Sequence, residues 1–223
     1  MNTNLPKVMQ PLGGETLISH VVKTAQENSA NITVVVGHQK NLLKDHIATM
    51  DPKIQTTDQD DQLGTAHAVK TAAHLIQDNE KVLVLYGDVP LIRSATIKAL
   101  VASGEECTLL SMNLKDPTGY GRIVTNEQNQ ALKIIEEKDA SKDERLIEEV
   151  FTGILLIDGN LLKTALKEIN NQNAANEYYL TDLVEILSGK GVKIKCIQAN
   201  PTEVMGANNK KELHGLESIL RNM

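Results

Sequence analysis

The sequence predicts an α/β protein: a doubly wound sheet with an antiparallel portion inserted near its middle. Three observations carry this prediction. Segments rich in Val, Ile and Leu alternate with segments of helical periodicity through short connections, as in βαβ units. Two of the strand-like runs, 31–37 (NITVVVG) and 81–91 (KVLVLYGDVPL), lack polar alternation, as strands buried on both faces do. Residues 119–140, by contrast, place two short strands around a polar turn, a hairpin rather than a crossover.

The elements follow in order. Residues 15–28 set Leu17, Ile18, Val21, Val22 and Ala25 on one helical face and lead into the strand closed by Gly37. Residues 41–50 read as a short helix and 63–79 as a longer one. The next strand ends at Gly87, Ser94 caps a helix over 95–103, and 107–112 (CTLLSM) gives a further strand. Beyond the hairpin, 148–158 returns to strand. Residues 160–169 form a helix that aligns Leu161, Leu162, Ala165, Leu166 and Ile169. A helix over 178–191, a strand over 192–199 and a closing helix with Leu213, Leu216 and Leu220 complete the chain. No repeat, low-complexity run or linker interrupts it, so one domain over 1–223 is expected.

Composition narrows the function. A hydrophobic fraction of 41% and a charged fraction of 23% are those of an ordinary globular protein. With 2% aromatic residues, no Trp and a net charge of −6, the chain lacks the stacking and basic surfaces of a nucleic-acid binder. Cys107 and Cys196 have no metal-ligand spacing and fit a reduced, cytoplasmic protein. No apolar run approaches the ~20 residues that span a bilayer, so no membrane partner is expected. The sequence sets no oligomeric state.

In open α/β sheets, ligands bind beyond the carboxyl ends of strands, so the residues there are candidates. After VLVL come Tyr86, Gly87 and Asp88. Gly87 would allow close approach of a ligand, and Asp88 could hold a hard cation such as Mg²⁺ or simply turn the chain. Gly64 and Thr65 open a helix, where backbone N–H groups and a hydroxyl can grip an anion or merely cap. Gly119 and Gly121 mark a tight turn, and Glu136 follows a strand. The six His are scattered, and no nucleophile–His–Asp set can be assembled.

These pieces together resemble one family. LPKVMQPLGGETLISHVV, QLGTAHAV, VLYGDVPLI, DPTGYGRIV, IIEEKDA, TGILL, NEYYLTDL and EVMGANN stand in the order and spacing of the uridylyltransferase domain of the bacterial bifunctional UDP-N-acetylglucosamine pyrophosphorylase. The resemblance runs essentially from Met1 to the last helix. It implies a Rossmann-like nucleotidyltransferase fold with a mixed, mostly parallel sheet. It also implies a Mg²⁺-dependent reaction of UTP with N-acetylglucosamine 1-phosphate that releases pyrophosphate. Residue by residue, Lys7 would neutralise phosphate charge, and Gln59, Gly64 and Thr65 would recognise the uracil. Tyr86 and Gly87 would line the nucleotide and sugar site, and Asp88 and Asn208 would hold Mg²⁺. Gly121 and Glu136 would contact the amino sugar, with Glu136 accepting from a hydroxyl.

Departures from the family pattern are few but pointed. The family begins with a strand and a Gly-rich loop, LAAGxGTRM, and Met1 falls where the Met of that motif stands, so the resemblance implies that this strand and phosphate-cradling loop are absent. The family's C-terminal acetyltransferase domain is likewise expected to be missing. Phe151 replaces an Asn that contacts the sugar, and Met205 replaces a Glu, so sugar choice is the property most exposed to change.

Overall fold

The computed structural model describes residues 5–207 and 209–222. The chain builds two units, one from residues up to Asp60, Leu85–Lys98 and Asn200 onward, the other from Asp61–Val84 and Ala99–Ala199.

In the first unit a minimal hairpin, β1 (Pro11–Leu12) and β2 (Glu15–Thr16), leads into α1 (Leu17–Gln26). Thr16 caps α1 by accepting from the Ser19 N–H at 3.2 Å. Ten residues are too few to hold a helix by propensity, so packing must hold α1. Its two flanks do so separately. Leu17 joins Leu12, Leu91, Ala207 and Leu216, whereas Ile18 and Val22 join Val36, Leu43 and Ile47. Each such side chain fully buried contributes roughly 1.5–3 kcal/mol. The second cluster sits on a parallel pair, β3 (Thr33–Val36) and β4 (Gln55–Asp58), linked by α2 (Lys40–Met50).

The second unit begins with α3 (Thr65–Ala72) and β5 (Lys81–Val84). After α4 (Ser94–Ala102), which runs from one unit into the other, come β6 (Cys107–Asn113), β7 (Arg122–Thr125) and β8 (Ala131–Ile135). The long β9 (Glu149–Asp158), α5 (Gly159–Glu168), α6 (Asp182–Gly189) and β10 (Ile194–Gln198) follow. Two helices in the first unit, α7 (Pro201–Val204) and α8 (Lys210–Arg221), end the chain.

The sheet of this unit has six strands in the order β10-β6-β9-β7-β8, with β5 also on β9. Strand β9 organises it by changing partners along its length: Leu155–Asp158 pair with β5, and Val150 pairs with Arg122 of β7. Gly153 makes the change possible. Its φ of +88° is accessible to glycine at little cost, and the β6–β9 register slips at this point. Thr152 covers the break in the ladder, its hydroxyl donating to Leu110 O at 2.7 Å and accepting from the Ile154 N–H at 3.3 Å. The TGI motif is thus a built-in bulge. Leu109, Leu155, Ile157, Leu162, Leu166, Leu183 and Leu187 form the core beneath it.

The α/β class and the hairpin of β7 and β8 agree with the sequence. Two features differ. The strands form separate sheets, because among the described residues β3 and β4 pair only with each other, while β5 finds its partner in antiparallel β9. The main sheet is mixed, but its balance is antiparallel rather than mostly parallel. Among the described residues only β10–β6 runs parallel in it, since β9 opposes β5, β6 and β7, and β7 opposes β8.

Candidate active site

Each unit carries one constellation of candidate residues. In the first, Lys7 and Asp88 meet directly, Nζ donating to Oδ2. Lys7 opens a single 3₁₀ turn, Lys7–Met9. Gly87 explains the close packing: a Cβ there would lie 2.9 Å from Ile18 and 3.2 Å from Val8. The glycine read from sequence as room for a ligand therefore has a structural task, seating the Lys7 turn against Asp88. The side chain of Asp88 is 18% exposed and that of Lys7 39%, so both reach solvent.

Gly206 and Ala207 dock beside them. Ala207 N–H donates to Asp88 O at 3.2 Å, and the Cα of Gly206 faces the Asp88 carboxylate. Asn208, the second expected metal ligand, lies outside the described residues. Among the described residues no group of three or more His, Cys, Asp or Glu could hold a metal. A carboxylate with few companions suits Mg²⁺, which keeps waters and takes substrate phosphates as ligands. The residues present fit that ion.

Tyr86 accepts the Val89 N–H at its carbonyl, 3.1 Å, which closes the turn carrying Asp88. Gln59 follows β4, its N–H donating to Val36 O at 2.8 Å. Its acidic neighbours Asp58 and Asp60 are ion-paired. Asp58 pairs with Lys44 at 2.5 Å and Lys40 at 3.0 Å, and Asp60 pairs with Lys40 at 2.5 Å. Lys44 first, then Lys40, holds the Asp58 carboxyl below its ordinary range.

In the second unit Gly64 and Thr65 are fastened to the segment before α6. Tyr178 N–H donates to Leu63 O at 2.8 Å, Ala66 N–H to Tyr178 O at 2.9 Å, and Leu180 N–H to the Thr65 hydroxyl at 2.9 Å. The N–H of Ala66, in the first turn of the helix that Gly64 and Thr65 open, is spent on this seam. Gly64, at φ +118°, leaves no space for a Cβ against the Tyr178 backbone.

Gly121 and Glu136 lie close together. A Cβ on Gly121 would stand 3.7 Å from Glu136 Oε1, and Gly121 O accepts the Phe151 N–H at 2.9 Å. Phe151 is 5% exposed and belongs to the core. Burial raises the pKa of Glu136, and Asp139 and Glu177 raise it further, against a hydrogen bond from Thr181 Oγ1 at 2.9 Å. Around it lie Tyr179, whose phenol is pushed up to about 12, and Asp182, pushed up to about 6. Desolvation leads in both cases, with neighbouring carboxylates adding to it. Tyr179 and Thr181 were not singled out in the sequence, although both stand in NEYYLTDL. The signal was a motif whose apolar half reads as helix, while the structure starts α6 only at Asp182.

Two features are set apart from this chemistry. A cavity of about 430 Å³ between α3 and α5 is lined by Leu63, Ala66, Lys70, Leu166, Ile169 and Tyr178, among others, and by none of the expected site residues. Cys107 is buried and Cys196 half-buried, and desolvation pushes both thiols up to about 12, so neither is a ready nucleophile.

The fold is that of a nucleotidyltransferase. A crystal structure of UDP-glucose pyrophosphorylase complexed with UDP-glucose superposes with a TM-score of 0.76 at 17% identity, covering 98% of this chain and 91% of that one. HddC from Yersinia pseudotuberculosis complexed with GMP-PN gives 0.71 at 13%, covering 99% and 92%. The chain belongs to the family described as MobA-like NTP transferase domain, which matches residues 1–138. Among curated relatives, the bifunctional protein GlmU of Idiomarina loihiensis is 40% identical over 99% of this chain, and that of Caldanaerobacter subterraneus subsp. tengcongensis is 39% identical over 99%. The chain spans about half the length of these relatives, 49% of each.

Proposed function

We propose that the chain transfers a uridylyl group from UTP to N-acetylglucosamine 1-phosphate in the cytoplasm, giving UDP-N-acetylglucosamine and pyrophosphate for cell-envelope synthesis. The observation that carries this reading is the Lys7–Asp88 pair beside Gly206 and Ala207, a cation and a carboxylate held by three separate chain segments. The sugar phosphate is already a competent nucleophile, so no strong base is needed. The barrier is repulsion between two polyanions.

Asp88, with Asn208, would hold Mg²⁺, which when bound supplies charge neutralisation at the phosphates. Lys7 would leave Asp88 for the triphosphate and place its ammonium among the phosphate oxygens. Gln59, Gly64 and Thr65 would receive the uracil, and Tyr86 and Gly87 would border the nucleotide. Gly121 and Glu136 would hold the amino sugar, Glu136 accepting from a hydroxyl while Thr181 fixes its carboxylate.

Removing one such electrostatic stabiliser costs roughly 2.7–4 kcal/mol, on the order of 10²–10³ in turnover. Asp88→Ala is therefore expected to lose that much kcat in a pyrophosphate-release assay with UTP and Mg²⁺. Turnover within a few-fold of wild type would sink the metal-ligand assignment.

Phe151 favours a second reading, in which another sugar 1-phosphate is the substrate. Its ring is buried and offers no hydrogen bond where the pattern of the resembled family has Asn. Comparing kcat/KM for N-acetylglucosamine 1-phosphate and glucose 1-phosphate decides between them. A preference for glucose 1-phosphate selects the second.

A further inference from the structure

We propose that Arg122 is a positioning residue that holds the Gly119–Gly121 turn in register over Glu136, and so sets how the chain meets its sugar phosphate. The inference rests on the reading given under the proposed function.

The geometry is specific. The Arg122 side chain is 2% exposed. Its Nη1 donates to Tyr120 O, and its Nη2 donates to Glu137 Oε2 at 2.6 Å. The same Glu137 oxygen accepts the Gly119 N–H at 3.2 Å. One buried fork therefore grips the turn leading into Gly121, directly at Tyr120 and at Gly119 by way of Glu137. Arg145 backs the arrangement, donating to Glu137 O at 3.1 Å. In the sheet Arg122 stands opposite Ile135, the residue preceding Glu136, and opposite Val150, the residue preceding Phe151. Its backbone thus ties the turn to both neighbours of the sugar constellation.

Stability alone gives no reason for this arrangement. The Arg122 guanidinium is desolvated while Glu137 stays 28% exposed, so the pair only partly offsets that cost, and Nε is buried with no hydrogen-bond partner among the described residues. An apolar residue facing the core would close the hairpin at less cost. What it could not do is fix Gly121 beside the Glu136 carboxylate, where the guanidinium charge also favours the ionised form. Exposed Glu–Lys pairs would be too mobile for that purpose.

The test uses Arg122→Lys, which keeps the charge but not the fork, and Glu137→Gln, which keeps the shape but not the charge. KM values for UTP and for N-acetylglucosamine 1-phosphate and thermal melting are measured for the wild type and both variants. Hydrogen exchange at the Gly119 and Gly121 amides is followed in parallel. The expected result is a roughly tenfold higher KM for the sugar phosphate with UTP KM within twofold, together with faster exchange at the two glycines. Sugar-phosphate KM within twofold of wild type in both folded variants overturns the proposal, as does a uniform loss for both substrates that tracks melting temperature. Absence of turnover in the wild type itself, with either sugar phosphate, removes the functional reading and this inference with it. That result is distinct from an active wild type with indifferent variants.

Discussion

At the scale of single residues, the lesson concerns charges that sequence reading takes as solvated. Asp182 follows Tyr179 and Thr181 at the opening of α6, where an Asp is ordinarily welcome because of the helix dipole. Here desolvation, then Glu136, Glu185 and Asp139, push its pKa up to about 6 from 3.8. The folded chain thus binds this proton more tightly than the unfolded chain. The ionised form therefore costs stability above pH 6, and the cost fades as pH falls toward 4. Discounted for partial exposure, the cost is about 1 kcal/mol. Asp182→Asn should raise the urea midpoint at pH 7.5 and lose its advantage near pH 4. A gap independent of pH, or none at pH 7.5, contradicts the assignment. Glu136 was legible as a carboxylate after a strand, but its burial was not, since nothing local announces that Tyr179 and Thr181 will close over it.

At the scale of elements, most of the pattern was legible and the exceptions have causes. Helix α1 and strand β9 form where apolar periodicity places them. Strand β4 is polar (Gln-Thr-Thr-Asp) and escaped notice, because it is defined by parallel pairing with β3 rather than by its own residues. Helix α3 ends at Ala72, where the chain tightens into a 3₁₀ turn, short of the length its periodicity implied. The seam between α3 and Tyr178 is long-range and invisible to local reading. Gly64→Ala tests it: the Cβ would meet Tyr178 O at 2.5 Å and N at 2.7 Å, both backbone atoms that cannot swing aside. Backbone strain and two weakened hydrogen bonds together should cost about 3 kcal/mol. Gly104→Ala is the control, since its φ of +72° brings strain but nothing stands within 4 Å, and about 1 kcal/mol is expected. Equal losses in urea unfolding would refute the seam.

At the scale of the whole molecule, the class was legible and the architecture only partly so. Alternating strands and helices, a net charge of −6 and sparse aromatics pointed to an α/β protein of small-molecule chemistry. The division into two units, with β3 and β4 in a sheet of their own, depends on which strands find which partners, and no local pattern encodes that. Lys7 and Asp88 are 81 residues apart, yet the structure joins them. Motif order names both, and the fold brings their side chains into contact. The most direct test of the central claim is pyrophosphate release by this chain with UTP, Mg²⁺ and a sugar 1-phosphate. Release that requires all three, and that collapses in Asp88→Ala, is the predicted result. A folded chain that releases no pyrophosphate with either N-acetylglucosamine 1-phosphate or glucose 1-phosphate would contradict it.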